Sequence, residues 1–324
     1  MTRSLAAFLS FFLVVSIPTT AWSKEKDRTC TPSEKKAADR QLWLNQRDQQ
    51  ISVQTNLPWG APAITPDTSN ERMLVQRDYV IRYDGDLRIP LFTAERVDAD
   101  RLKKKVKRTD CFRADVRIPA PLASSPSDYK EPLFDQGHLA AFANQATSVV
   151  AGNNSFIMSN MAPQTCQFNR GIWQILEGIV RLWASDKKTV YVISGSIFDR
   201  DADGLRDEDQ QAARMAANNH TARVAVPSSF YKILAFTSSD GSVDTLTVVL
   251  PHNQANPNGP IAVQYLQSHV TSIADIERRT GLSFFPTHPI IHESSTLWAF
   301  DQSKMPSSLC HALPTPNFDA LWQH

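Results

Sequence analysis

The sequence predicts an α+β fold, and three observations carry that expectation. After residue 70, β-branched and aromatic residues alternate with polar ones in several short runs, the pattern of half-buried strands. Two stretches, 170–185 and 271–285, instead repeat apolar residues with a helical period. Strands and helices do not alternate regularly, which argues against a doubly wound sheet.

Taken in order, the chain opens with "MTRSLAAFLSFFLVVSIPTTAWSKEK". A basic residue, Arg3, precedes about a dozen mostly apolar residues and then small ones near Ala21 and Ser23. Residues 1–23 read as a secretory signal peptide, too short for a membrane span. No later stretch is apolar enough to span a bilayer, so the mature form is expected without a membrane, periplasmic or secreted. Residues 24–70 are polar, with Pro58, Pro62 and Pro66 near their end, and read as a helix-then-loop N-terminal extension. Strands are expected within "MLVQRDYVIRYDGDLRIPLFTAERV" and over 187–198, 230–238 and 243–251, each bounded by Gly, Pro, Asp or Ser. The 170–185 helix follows from Ile172, Ile175, Leu176, Ile179 and Leu182. The second helical pattern has Gly281 as its C-terminal stop. Residues 291–324 hold Pro306, Pro314 and Pro316 with little periodicity and read as a C-terminal extension.

Formal net charge is +1, and loss of the leader with Arg3 takes it to about zero. A global basic field is absent, so a polyanionic partner requires a local patch. Cys30, Cys111, Cys166 and Cys310 permit two disulfides in an oxidising compartment. Of the three pairings, layout favours Cys30 with Cys310, tying the two ends together. No phosphate-cradling glycine loop is present. "HPIIHE" (288–293) is not a zinc-protease motif, and Pro289 argues against a helix there.

The chemistry concentrates in two stretches, "LFDQGHLAAFAN" (133–144) and "SNMAPQTCQFNRGIWQILEGIVRLWA" (159–184). The first places His138 in a short polar loop; the second supplies Asn160, Gln164, Asn169 and Glu177. Asn169 stands at the helix start, and its amide oxygen is a neutral, hard ligand suited to Mg²⁺, which keeps most of its waters. On an ideal helix, Glu177 lies roughly 80° round and about 12 Å along from Asn169, too far to share one ion directly. A water-mediated contact from Glu177 is therefore expected, with Asn169 on a bent entry to the helix. A histidine ordinarily titrates near neutrality, so His138 is expected to take a proton from an attacking water. Together they outline a one-metal phosphodiester hydrolysis site. Taken singly, each has an ordinary reading: a hydrogen-bonded loop histidine, an N-cap asparagine, a solvated glutamate.

"FDQGHLAAFAN" resembles the D-R-G-H-L-A-P signature of the DNA/RNA non-specific endonucleases. "SNMAPQ", with Asn169, Trp173 and Glu177 following, is similar to that family's S-N-x-x-P-Q…N…W…L-E segment. "KRTDCFRAD" resembles its R-x-x-x-F-R-x-D stretch, and the likeness runs over about residues 71–290. The resemblance implies a ββα-metal (His-Me finger) nuclease fold, in which a central, mostly antiparallel sheet flanked by helices carries a hairpin and helix. It implies DNA and RNA as substrates and 5′-phosphate products. It also implies His138 as general base, Asn169 as the one direct Mg²⁺ ligand with Mn²⁺ able to substitute, and Glu177 holding the hydrated ion. Asn160 would support the site, and Arg108, with Arg113 as the alternative, would contact the phosphate.

One departure stands out: Gln136 occupies the signature's arginine position. A neutral amide replaces a charged, planar donor fork, so hydrolysis is expected to be slower or altered unless another cation compensates. The competing expectation is a nucleic-acid-binding protein of the same fold with weak or lost hydrolysis. Two further features are notable. "RLKKKVKR" (101–108), with Lys103, Lys104, Lys105 and Lys107, is a basic run able to track a nucleic-acid backbone. In "DRDADGLRDEDQ" (199–210), Asp199, Asp201, Asp203, Leu205 and Asp207 fall at calcium-loop positions, with Gly204 at the sharp turn and Gln210 where a glutamate usually stands. The loop reads either as a plain acidic surface loop or as a weak structural Ca²⁺ site.

Overall fold

The polar N-terminal segment folds as two helices rather than one helix and a loop. In this computed structural model, residues 28–64, 70–129, 132–215, 224–287, 291–315 and Phe318 are described. The signal-peptide expectation for residues 1–23 lies outside them, as does His288. Strand β1 (Arg28–Thr29) leads into α1 (Pro32–Arg40), which Thr31 caps in a reciprocal box with Glu34. Asn45 caps α2 (Gln46–Asn56) by accepting from the Asp48 amide. A two-residue strand, β2 (Ala63–Ile64), follows.

The alternating runs then form β3 (Glu71–Val75), β4 (Tyr79–Asp84) and β5 (Ile89–Asp98), joined as an antiparallel meander. After β6 (Thr109–Asp110), which pairs with β1, come the hairpin strands β7 (Phe134–His138) and β8 (Met161–Thr165). Short helices α3 (Phe142–Gln145) and α4 (Val149–Asn154) lie between them. Helix α5 (Gln174–Lys187) follows β8, and then β9 (Thr189–Ile197), β10 (Ser229–Thr237) and β11 (Val243–Pro251) complete the middle of the main sheet. The last elements are α6 (Gly259–Ser268), β12 (Val270–Thr271), α7 (Ile273–Thr280), β13 (Leu282–Ser283) and β14 (Ile291–Ser294).

The main sheet runs β12-β11-β10-β9-β5-β4-β3, with β14 added beside β11. Every pairing in it is antiparallel except β11–β14. Its central strands are buried on both faces, and successive residues serve opposite layers. Val192, Phe230, Leu234 and Val248 pack against Ile175, Leu176, Ile179 and Trp183 of α5. Their neighbours Ile193, Tyr231, Ile233 and Val249 pack against Leu57, Trp59, Ile273 and Ile276.

Several expectations change. Gly281, at φ 68°, caps α7 as the expected stop, and only the residues beyond it differ, turning into β13. Helix α6 was not anticipated. His138 ends a strand rather than sitting in a loop, because β7 pairs with β8 through to His138↔Met161. The disulfides are Cys30–Cys111 and Cys166–Cys310, not Cys30–Cys310. Parallel pairing of β1 with β6 sets Cys30 beside Cys111, with Cα atoms 4.8 Å apart. The C-terminal segment crosses α5 to reach Cys166, with Cα atoms 5.6 Å apart.

Candidate active site

The hairpin β7–β8 and helix α5 set the functional side chains, and glycine makes their close fit possible. A Cβ on Gly137 would lie 2.1 Å from Oε1 of Gln164, whose side chain is fully buried against the hairpin. Immediately after His138 the chain is clamped by Asn160. Its Oδ1 accepts from the Ala140 amide (2.9 Å), while Nδ2 donates to the carbonyls of Ala140 (3.0 Å) and Ser155 (2.8 Å). The Trp173 indole donates to the His138 carbonyl at 3.0 Å. Strand end and helix entry are thereby tied together.

The helix entry is bent, as expected. Phe168–Trp173 form a π-helical turn, and Gly171 leaves helical geometry at φ −103°, ψ −112°. The wider turn changes the angular phase between Asn169 and Glu177 relative to a straight α-helix. Asp135 then fixes the turn: it accepts from Asn169 Nδ2 (3.0 Å) and is gripped by two nitrogens of Arg170 (2.8 and 2.7 Å). With Nδ2 engaged, the Asn169 Oδ1 accepts no hydrogen bond among the described residues.

A cavity of about 760 Å³ opens over this unit and brings together Arg108, Gln136, His138, Asn169 and Glu177. Asp135, Arg170 and Arg181 also line it. The half-buried His138 has its Nε2 without a partner among the described residues, and Phe156 meets the ring edge-on at 4.8 Å. Burial, with the positive charge of Arg108 added, pushes the imidazole down to about 3, so it is neutral at pH 7. Burial pushes Glu177 up to about 7 against the opposing pull of Lys232, Arg181 and Arg108. Arg108 donates to Asp110 at 2.9 Å, and its guanidinium lies 4.8 Å from the Phe156 ring centre.

An amide oxygen without a donor and a carboxylate raised by burial fit a hydrated divalent cation, which needs few protein ligands and favours the ionised carboxylate.

Not every expected residue faces the cavity. Asn160 is fully buried and engaged with backbone. Arg113 is engaged throughout, by Asp39, Asn154 and the carbonyls of Cys111 and Asn153, so of the two expected arginines it is Arg108 that lines the cavity. Lys103 and Lys105 line a second cavity, whereas Lys104 and Lys107 are exposed and line neither. The acidic loop gathers Asp199, Asp201 and Asp203 with ligand oxygens within 4.8 Å of one another. Asp199 is buried, its Oδ2 accepting from Arg279 at 2.7 Å and its Oδ1 unpartnered among the described residues. Asp207 closes the loop by accepting from the Arg200 amide, and the Leu205 amide donates to Asp203.

Sequence reasoning missed Asp135, Arg170, Arg181 and Lys232. The i,i+4 spacing from Glu177 could have found Arg181. Nothing in the sequence marks Lys232, which lies fully buried with Nζ 2.7 Å from Ser194 Oγ and 3.9 Å from the Trp173 ring centre.

Residues 62–289 match the DNA/RNA non-specific endonuclease family. The chain is 32% identical to mitochondrial endonuclease G of Homo sapiens over 231 residues, 70% of this chain and 72% of that protein. Nuclease C1 of Cunninghamella echinulata var. echinulata is 30% identical over 226 residues, 68% of this chain and 84% of its own. A chain of the solved EndoG/EndoGI complex superposes with a TM-score of 0.62 at 26% identity, covering 75% of this chain and 96% of that one. The mostly antiparallel sheet bearing β7, β8 and α5 is the ββα-metal nuclease fold.

Proposed function

The chain belongs to the DNA/RNA non-specific endonuclease family and is a nuclease, and from that premise we propose a Mg²⁺-dependent, sugar-non-specific endonuclease acting on DNA and RNA. The observation that carries this reading is the convergence of Arg108, His138, Asn169 and Glu177 on one cavity.

Asn169 through Oδ1, and Glu177 through water, would hold the ion, with Mn²⁺ able to replace Mg²⁺. When bound, the cation supplies Lewis-acid stabilisation of charge at the leaving oxygen. His138 takes the proton of the attacking water, and burial keeps it in the neutral form that can do so. Arg108 meets the phosphate charge. A bound phosphate offsets that guanidinium's effect on His138 and raises the imidazole's proton affinity as the reaction needs it. Asp135 and Trp173 hold the metal ligand and the base in register. Two disulfides support action in an oxidising compartment, secreted or periplasmic.

A second reading keeps nucleic-acid binding with weak hydrolysis, and Gln136 in the cavity favours it. Nicking of supercoiled plasmid and degradation of RNA by residues 24–324 in Mg²⁺ separate the two. Cleavage abolished both by EDTA and by His138→Ala is the expected result. Salt-sensitive plasmid retention without cleavage would select the second reading instead.

A further inference from the structure

A second cavity, about 980 Å³, lies against the candidate active site and shares Phe142, Ala143 and Arg181 with it. Helix α5 runs beneath both: Glu177 and Arg181 face the first, while Gly178, Arg181, Leu182 and Ser185 face the second. From Glu177 to Ser185 the helix rises roughly 12 Å. That equals three to four nucleotide steps at ~3.4 Å each along one strand.

Among the described residues, the cavity is lined by seven cationic side chains, Arg96, Arg101, Lys103, Lys105, Arg181, Lys188 and Lys304, against two acidic ones, Asp98 and Asp100. Both acids are already engaged. Asp98 accepts from Arg96 and Thr189, and Asp100 from Lys103. Lys188 is exposed and forms no ion pair among the described residues, and Lys304 is 68% exposed with Asp301 beside it at 3.1 Å. Asp78 likewise pairs with Arg101, which leaves Lys105, Arg181 and Lys188 without an ion pair among the described residues, a local positive field in a chain of formal net charge +1.

One wall comes from the C-terminal segment, which is built onto α5 rather than draped over it. Pro306 packs so closely on Gly178 that a Cβ there would meet it at 2.3 Å. The Leu309 amide donates to the Arg170 carbonyl at 2.7 Å, and Cys310 closes the disulfide to Cys166. Lys304 and Pro306 thus line the second cavity, and Leu309 lines the first.

We propose that this groove is a phosphate-backbone subsite for the polynucleotide flanking the scissile bond, with Lys188 and Lys304 as residues that make long strands better substrates than short ones. It rests on the nuclease reading and adds where the substrate continues beyond the reacting phosphate. Backbone phosphates two to four nucleotides away neutralise these cations and release counterions, so the preference is salt-dependent.

The test compares cleavage of a labelled tetranucleotide and a 30-nucleotide strand by the full chain and by Lys188→Gly/Lys304→Gln. Glycine suits the positive φ of 70° at Lys188, and unchanged melting temperature checks the fold. The expected result is a KM for the 30-mer raised about tenfold, with kcat and tetranucleotide kinetics within twofold. The slope of log KM against log salt should become shallower by about 1.4, for two lost single-strand contacts. An unchanged 30-mer KM, or equal losses on both substrates, overturns the subsite. If the parent chain cleaves neither strand, the nuclease reading fails on its own, and fluorescence anisotropy of the 30-mer then decides the groove. Tenfold weaker binding by the variant sustains it, whereas equal binding, or no binding by the parent, overturns it.

Discussion

Gln136 pairs in register with Pro163 on the hairpin and lines the cavity beside His138. A charged donor fork at this position would stabilise negative charge developing on the phosphate, and such stabilisation is commonly worth about 100-fold or more in rate. Gln136→Arg should therefore raise kcat/KM for plasmid cleavage on the order of 100-fold, measured at fixed salt. An unchanged rate means that Arg108, Arg170 or Arg181 already meets that charge. His252 makes a second residue-level case. It is buried among Phe134, Phe168, Phe230 and Phe318, donates from Nδ1 to the Pro227 carbonyl, and accepts the Thr165 amide at Nε2. Protonation would break the Thr165 bond, and burial pushes the ring down to about 4. The unfolded chain, with its histidine near 6.5, thus takes the proton first as pH falls. The stabilisation is complete above about pH 6.5 and is lost toward pH 4, on the order of 3 kcal/mol in all. Asp84, pushed up to about 6 by burial, acts in the opposite sense, so the comparison must be with a variant. Urea unfolding at pH 7 and pH 4.5 should show a smaller loss for His252→Asn than for the parent; equal losses would sink the assignment.

At the scale of elements, the hairpin, the π-helical turn and the C-terminal segment form one mechanical unit. Cys166 follows β8 directly and precedes Asn169 by one short turn, so its bond to Cys310 anchors the segment that carries the proposed metal ligand. Cys166→Ser/Cys310→Ser should cost about 2–4 kcal/mol of stability. It should also raise the Mg²⁺ concentration for half-maximal cleavage severalfold, because the Asn169 turn loosens. Lower stability with an unchanged Mg²⁺ requirement would confine the disulfide to a structural role. The acidic loop belongs to this scale as well. Asp199 reaches across to Arg279 of α7, while Asp201 and Asp203 stay exposed beside it. Millimolar Ca²⁺, the range in which extracellular modules bind, should raise the melting temperature by a few degrees, and Asp203→Ala should remove the rise. A calcium titration with no shift leaves the loop held by its own hydrogen bonds and by Arg279.

For the whole molecule, the α+β class, the central strands, the long helix after the hairpin and the candidate chemistry were legible before folding. Those features are local in their causes. Period-2 and period-3.6 patterns write themselves into short windows, and His138, Asn169 and Glu177 lie in two stretches separated by little chain. What depends on distant approach emerged only from the folded chain. Arg108 and Arg113 look alike in sequence, yet Asp39, Asn153 and Asn154 engage one and leave the other at the cavity. The favoured cysteine pairing failed because a two-residue parallel pairing beside Cys111 and a crossing over α5 brought other sulfurs together. Lys232 reaches Trp173 from a strand some sixty residues later in the chain, and Lys304 enters the groove from a segment without periodicity. Such contacts arise when packing a two-sided sheet brings sequence-distant surfaces together, and no window of sequence short enough to read contains both partners.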